Sequence, residues 1–334
     1  MKNMGMKVSQ AGFLGTGHCV PDQVWTNKDL EKMMDTSDEW IRTRTGIAQR
    51  YVAPKGVNTS DLATGAAKKA LEMARISAKD LDLIIVCTLT PDRSLPATAC
   101  KVQANLGAVN VPAFDLNAAC SGFVYASIIA KQFIETGLYK NILVIGAEVL
   151  TRVINWNDRG SCVLFGDGAG AAVIGRVDDG YGMFGTDMGA QGEGGKYLTI
   201  PSSGVEMPRT DETIKNELAF AQMDGKEVYK FAVHAMPGAA EKVMKLSGWT
   251  SDEVAMLIPH QANLRIIESA SKRLHIPMNK IFVNIQNYAN TSGASIPIAM
   301  DEANRAGLLH RGDKVVLAGF GAGLTWAGLA MKWF

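Results

Sequence analysis

Short apolar runs punctuate the first half of the chain: LIIVCTL (83–89), PAFDL (112–116), NILVIGAE (141–148) and CVLFGDGAGAAVIG (162–175). Each has the length of a strand, and helical stretches of ten or more residues separate the earlier ones. Strands alternating with helices predict a largely parallel sheet covered on both faces. The last run reads as a strand interrupted by glycines.

The second half repeats this order. VAMLIPHQA (254–262) matches LDLIIVCTLT (81–90), and KIFVNIQNYANTSGAS (280–295) matches VPAFDLNAACSGFVYA (111–126). DKVVLAGFGAG (313–323) matches KNILVIGAEVL (140–150), and LTWAGLAMKWF (324–334) matches SCVLFGDGAGAAVIG. Each half therefore runs strand, helix, strand, helix, strand, strand, which predicts an internal duplication with its boundary near Asp178–Gly182. If the halves pack about a pseudo-twofold axis, the ends of matching strands converge. Cys120 and Asn290 follow equivalent strands and would face one central site, joined by His260 from the strand matching LIIVCTL.

Composition narrows the function classes. The 334 residues are 47% hydrophobic and 20% charged, with a net charge of +1, so nothing global points to nucleic acid or an anionic membrane. The N-terminal MKNMGMKVSQ is not followed by an apolar run of signal-peptide length, and no stretch approaches a membrane span. The five cysteines are scattered without a C-x-x-C pair, arguing against a disulfide framework and a zinc site. A cytoplasmic protein with reduced thiols and no metal is expected.

Cys120 stands where an apparent strand end, AFDL, meets a helix running from Ser121 toward Gly137. Free cysteines are usually small core residues. This one precedes a helix N-terminus, whose unpaired amides and dipole favour a thiolate. Its small neighbours Ala118, Ala119, Ser121 and Gly122 leave room for a substrate, so a nucleophile is the better reading. Among the histidines, His18, His234, His275 and His310 show no partner pattern, whereas His260 in IPHQAN follows an apolar strand. YANTSGAS could be only a turn, and its place opposite ACSG is what singles out Asn290. GFGAG (319–323) could be a plain turn or could bring a backbone N–H to an oxyanion. GDGAGAAV (166–173) and GFLGTG (12–17) lack the lysine and context of phosphate loops.

TNKDLEKMMDTSDEWIRTRTGI (26–47), ACSGF, NDRGSCVLFGDGAGA (157–171), IPHQANLRI (258–266), ANTSGASIP (289–297) and GFGAGLTWAG (319–328) together resemble β-ketoacyl-[acyl carrier protein] synthase III. The segments run in order along essentially the whole chain. The resemblance implies a thiolase-like α/β fold, a duplicated α-β-α-β-α layered sandwich, usually homodimeric. Residues 1–179 would carry the nucleophile and 180–334 the catalytic His and Asn. The implied activity is acyltransfer: decarboxylative condensation of a short acyl-CoA with malonyl-[acyl carrier protein], initiating bacterial fatty-acid synthesis, with no cofactor because acyl-CoA is a substrate.

By the same resemblance the catalytic set is Cys120, His260 and Asn290, with the backbone N–H groups of Cys120 and Ala322 as the oxyanion hole. Coenzyme A would lie between Trp40 and Arg159, with Thr36, Arg44, Gly225 and Asn263 also in contact. Leu95, crossing from the partner subunit, and Leu164 would shape the acyl pocket. Lys230, Gln261, Ala262, Asn263, Leu264, Arg265, Lys272 and Arg273 would bind the carrier protein. Ala289 and Ala322 stand where the family commonly has glycine, and Leu95 where some members have phenylalanine, which bears on the starter acyl group. Asn290, in place of a second histidine or a glutamate, favours the type III condensation over chain elongation or hydroxymethylglutaryl-CoA synthesis. Two other readings stay open: a synthase of specialised metabolism using CoA thioesters alone, and a silent thiolase-fold partner, which the presence of Cys120 disfavours.

Overall fold

A computed structural model describes residues 10–202 and 204–334. Two sheets form its frame. The first has the order Ala11–Cys19, Gly168–Arg176, Asn141–Glu148, Leu83–Cys87, Ala113–Leu116. The second runs Gly182–Ala190, Thr325–Lys332, Lys314–Gly321, Met256–Pro259. Apart from the final strand of the first, the orders are the same. The sheets are mixed rather than largely parallel. Leu83–Cys87 pairs parallel with both neighbours, but Gly168–Arg176 returns antiparallel, as does Thr325–Lys332. No crossover helix long enough to restore a parallel direction lies between either of these strands and the one before it.

Strand alternation distributes side chains to two faces. Leu83, Ile85 and Cys87 point into a central core, where they meet Ile258, Val315 and Leu317 of the second sheet across Phe123, Val124, Ile296 and Met300. Those last four residues belong to the helices Gly122–Glu135 and Ser295–Arg305, which form the middle layer. Ile84, Val86, Leu143 and Ile145 face outward against the helix Thr59–Ala74. Leu257, Val316 and Ala318 face outward against Gly225–Leu246 and Leu264–Leu274. The result is an α-β-α-β-α sandwich with every main sheet face covered.

The interval separating Leu83 from Met256, Asn141 from Lys314 and Gly122 from Ser295 is 173 positions in each case. The pairing of ACSG with YANTSGAS expected from sequence is therefore out of step by four residues. A helical turn of four residues, Ile285–Tyr288, lies ahead of the second-half motif and has no counterpart in the first half. The structural counterparts are Asn117 with Asn290, Ala119 with Ser292, and Cys120 with Gly293. KIFVN is not a strand either. Among the described residues it makes one isolated parallel bridge, Leu257 to Ile281. The Gln261 side chain then takes over: its amide donates to Phe282 O, and its Oε1 accepts the Asn284 N–H.

Candidate active site

The three catalytic candidates come from three structural contexts at the middle of the sandwich. Cys120 lies in a short 3-10 turn, Ala119–Ser121, that leads into the helix Gly122–Glu135. His260 follows the strand Met256–Pro259, its N–H donating to Ala318 O. Asn290 is pinned beside the first half: its N–H donates to Leu164 O, and its own carbonyl accepts from Gly166. Gly319 sits between two of them, since a Cβ placed on it would lie 3.6 Å from both Cys120 O and His260 Cβ.

Cys120 opens on a cavity of about 390 Å³ whose walls include Leu89, Phe165, Leu198, Ser292 and Ala322. The lining is largely apolar, which suits an acyl chain. The Cys120 thiol donates to Ser292 Oγ at 3.3 Å, and the Ser292 N–H donates to Asn290 Oδ1 at 2.8 Å. That second bond orients the amide, because only the oxygen can accept; Asn290 Nδ2 is left as a donor. His260 Nδ1 lies 2.6 Å from Ser295 Oγ. Ser295 Oγ already accepts the Gln261 N–H, and its acceptor in reach among the described residues is His260 Nδ1. This arrangement puts the imidazole proton on Nε2. Two N–H donors, His260 Nε2 and Asn290 Nδ2, are thus available for a developing oxyanion.

Electrostatics correct one expectation. Burial pushes the Cys120 thiol up to about 12, only partly offset by the bond to Ser292. The helix start does not yield a resting thiolate, because loss of hydration outweighs it. Burial also pushes His260 down to about 3, so the imidazole is neutral across the physiological range.

A second cluster lies on the surface. The Arg44 and Arg159 guanidinium carbons sit 5.0 and 5.4 Å from the Trp40 ring centre. Arg159 also holds Asp35. Thr36 Oγ1 is buried without a hydrogen-bond partner among the described residues. Asn263 caps the helix Leu264–Leu274 through the Arg265 N–H and donates Nδ2 to Arg44 O, tying this helix to Asp38–Thr45. Gly225 begins its long helix at the exposed surface, and Leu164 is half-buried.

The expected carrier-protein face is narrower than its sequence suggests. Gln261 is buried and its amide is spent on Pro259 O, Phe282 O and Asn284 N, so it shapes the segment and offers no surface. Arg273 is turned away to Glu241 and His234. Lys272 is exposed, Ala262 and Leu264 are half-buried, and exposed Arg265 bonds Thr43 O. Lys230 is exposed beside Glu227. Leu95 is 85% exposed. Sequence reasoning assigned no role to Ser292, Ser295 or Asn117. A serine two residues beyond Asn290 was visible, but the slipped pairing hid what it faces.

Sequence comparison adds to this geometry. Residues 114–192 match the family described as 3-oxoacyl-[acyl-carrier-protein (ACP)] synthase III, and residues 244–333 match its C-terminal part. A β-ketoacyl-[acyl-carrier-protein] synthase III of Caldanaerobacter subterraneus is 56% identical, the match covering 97% of this chain and 98% of the relative. The chain belongs to the β-ketoacyl-[acyl-carrier-protein] synthase III family. The synthase III of Clostridioides difficile is 51% identical across 97% of this chain and 99% of its own. The crystal structure of the 3-oxoacyl-[acyl-carrier-protein] synthase III from Aquifex aeolicus superposes with a TM-score of 0.89 at 46% identity, covering 97% of this chain and all of that one. Synthase III enzymes of this family are acyl-transferring condensing enzymes of the thiolase fold, and this chain is one of them.

Proposed function

We propose that this synthase III condenses a short acyl-CoA with malonyl-[acyl carrier protein] to give 3-oxoacyl-[acyl carrier protein], CoA and CO₂, so starting fatty-acid synthesis. The observation that carries the reading is the Cys120 thiol, opening on an apolar cavity and joined through Ser292 to the oriented Asn290 amide, with His260 across Gly319 from it. Cys120 sulfur attacks the thioester carbonyl, and its proton leaves on the CoA sulfur. The N–H groups of Cys120 and Ala322 hold the oxyanion. The malonyl thioester then loses CO₂, and the electron pair of the broken C–C bond becomes an enolate. His260 and Asn290 donate to the enolate oxygen, and the carbanion attacks the acyl-Cys120 carbonyl. No base is needed to remove a C–H proton, in keeping with a neutral His260.

Coenzyme A fits the Trp40, Arg44 and Arg159 cluster, with Thr36, Gly225 and Asn263 as further contacts; the arginines would meet its phosphates. Arg265 and Lys272 are the members of the basic face best placed for an acidic carrier protein. Homodimerisation is supported by the strand Ala113–Leu116, which is the open edge of the first sheet and carries exposed Phe114; Leu95 also protrudes. Residues 1–179 and 180–334 are the two halves of each subunit, and a cytoplasmic enzyme without a metal or organic cofactor fits the proposed reaction. Among the described residues no helix is long and apolar enough to cross a membrane.

A related reading is raised by the priming β-ketosynthase of the R1128 polyketide pathway, 35% identical with a TM-score of 0.90. The synthase III relatives are closer in sequence and favour the fatty-acid role. The test is incubation with an acyl-CoA panel followed by mass spectrometry and addition of malonyl-carrier protein. An acyl adduct on Cys120 that is consumed to 3-oxoacyl product is expected. An adduct extended by malonyl-CoA but not by malonyl-carrier protein would favour a synthase of specialised metabolism that uses CoA thioesters alone.

A further inference from the structure

Ser292 is buried, has φ +49° and lines the cavity, and the proposed chemistry gives its side chain no task. Its hydroxyl oxygen accepts the Cys120 thiol at 3.3 Å. The turn it starts, Ser292–Ala294, is the counterpart of Ala119–Ser121, where Ala119 has φ +47°. Each turn is fixed the same way: the Ala119 N–H donates to Asn117 Oδ1 at 3.2 Å, as the Ser292 N–H does to Asn290 Oδ1. The two turns lie against each other, so position 119 faces 293 as position 292 faces 120. A Cβ placed on Gly293 would lie 3.2 Å from Ala119 O. Where the facing residue has no thiol, the turn carries alanine. Where it has the thiol, the turn carries serine. The backbone conformation does not require a hydroxyl, since Ala119 adopts it without one.

We infer that Ser292 is a positioning residue for the nucleophile, accepting the Cys120 S–H in the resting enzyme and donating its own O–H to the sulfur as the proton leaves. The hydroxyl needs only to rotate, and the thiol proton still ends on the leaving CoA sulfur, so no further reactant is involved. A hydrogen bond to a charged group is among the stronger ones. This matters most in an environment that otherwise opposes ionisation of Cys120. The inference rests on Cys120 being the nucleophile of the proposed reaction, and its test does not depend on acyl-CoA or malonyl-carrier protein.

The test is the pH dependence of Cys120 alkylation by iodoacetamide in the full-length protein, read by peptide mass spectrometry because exposed Cys100 reacts as well. Relative to wild type, Ser292→Ala should alkylate about tenfold more slowly at pH 8, its rising limb moved up by about one pH unit. Ser292→Gly also lacks the hydroxyl but accepts a positive φ without strain. It should be equally slow. Superposable wild-type and Ser292→Ala profiles would overturn the inference, and so would a Ser292→Gly profile restored to wild type, which would trace the effect to the turn. Should Ser292→Ala fail to fold, Ser292→Gly alone decides between slow and wild-type alkylation. A shifted alkylation profile in a protein that takes no acyl group from acyl-CoA would uphold the inference and sink the proposed function instead.

Discussion

The turns 117–122 and 290–295 share a backbone and divide the chemistry. Both fix an asparagine Oδ1 with the N–H of the residue two positions on, both hold that residue left-handed, and both feed a central helix. The first places a thiol at the position where the second has glycine. The packing beneath them differs as well. A Cβ on Gly146 would strike Gly293 O at 2.1 Å, whereas on its counterpart Gly319 it would lie 3.6 Å from Cys120 O. The glycine-bearing turn is pressed onto Gly146 of the first sheet, whereas the cysteine-bearing turn stands off Gly319 and is seated instead on Gly321, where a Cβ would lie 2.6 Å from Cys120 N. The two halves supply equivalent helix starts with the same asparagine, and they differ at the next functional positions: alanine and the thiol in the first, serine and glycine in the second.

Abolishing that division should have the largest effect. Cys120→Ser puts a hydroxyl where the thiol was, and a hydroxyl is far less acidic and less nucleophilic. Acyl transfer should fall by about 10⁴-fold or more, a loss typical of removing a nucleophile. Transfer of radiolabelled acyl groups from acyl-CoA measures it, and a mutant retaining a tenth of wild-type transfer would refute the assignment.

The paired asparagines sharpen the comparison. Asn290→Ala removes a donor aimed at the enolate, and decarboxylation of malonyl-carrier protein should drop about 10²–10³-fold, as for loss of an oxyanion donor. Asn117→Ala removes the same turn-fixing bond from the other half. It should cost about 1 kcal/mol of stability and leave decarboxylation within a few-fold. Equal rate losses in the two mutants would mean that the turns, and not the Asn290 amide, carry the chemistry.

Packing gives a smaller contrast. Gly146→Ala forces a methyl against a backbone carbonyl and should destabilise by about 3 kcal/mol. Gly319→Ala meets first the flexible end of Ile296, at 3.3 Å, and should cost about 1 kcal/mol or less. Chemical denaturation of the two variants compares them directly, and a reversed order would contradict the tighter seating of the second-half turn.

Much of this architecture could be read from the chain. LIIVCTL, NILVIGAE and DKVVLAGFG are strands because their alternate residues feed two cores, and a run apolar on both faces declares that in the sequence. KIFVN was misread because the feature ending it is remote. Gln261 lies some twenty residues earlier and takes the hydrogen bonds a neighbouring strand would need. The same residue, assigned to the carrier-protein face by the resemblance, is a buried bracket in the fold. The four-residue slip hid the counterpart of Cys120 and with it Ser292, since pattern matching favours contiguous apolar positions over a left-handed turn. The state of the thiol was also illegible: a helix start is a local feature, while the burial that overrides it is set by residues distant in sequence, among them Phe165, Ser292 and Gly321.

The smallest effect concerns His260, whose first-half counterpart is Cys87. Both stand at the C-terminal end of a central strand, Cys87 as its last residue and His260 just beyond it; both are almost wholly buried, and burial drives each toward its neutral form, the thiol up and the imidazole down. With His260 held down at about 3, the unfolded chain binds the histidine proton more tightly than the folded one. This contribution to stability is present above the unfolded value of about 6.5 and is lost progressively as pH falls toward 3. Its slope approaches about 1.4 kcal/mol per pH unit in that window. The folded enzyme keeps a neutral imidazole with Nε2–H throughout. Decarboxylation by folded protein should therefore stay nearly level from pH 8 to pH 5.5 while its denaturation midpoint declines below pH 6.5. His260→Gln should flatten the stability decline by that one proton. Rates that fall through pH 6.5 in step with a single ionisation, with the protein still folded, would mean that His260 is solvated enough to titrate and does not share the buried, neutral state of Cys87.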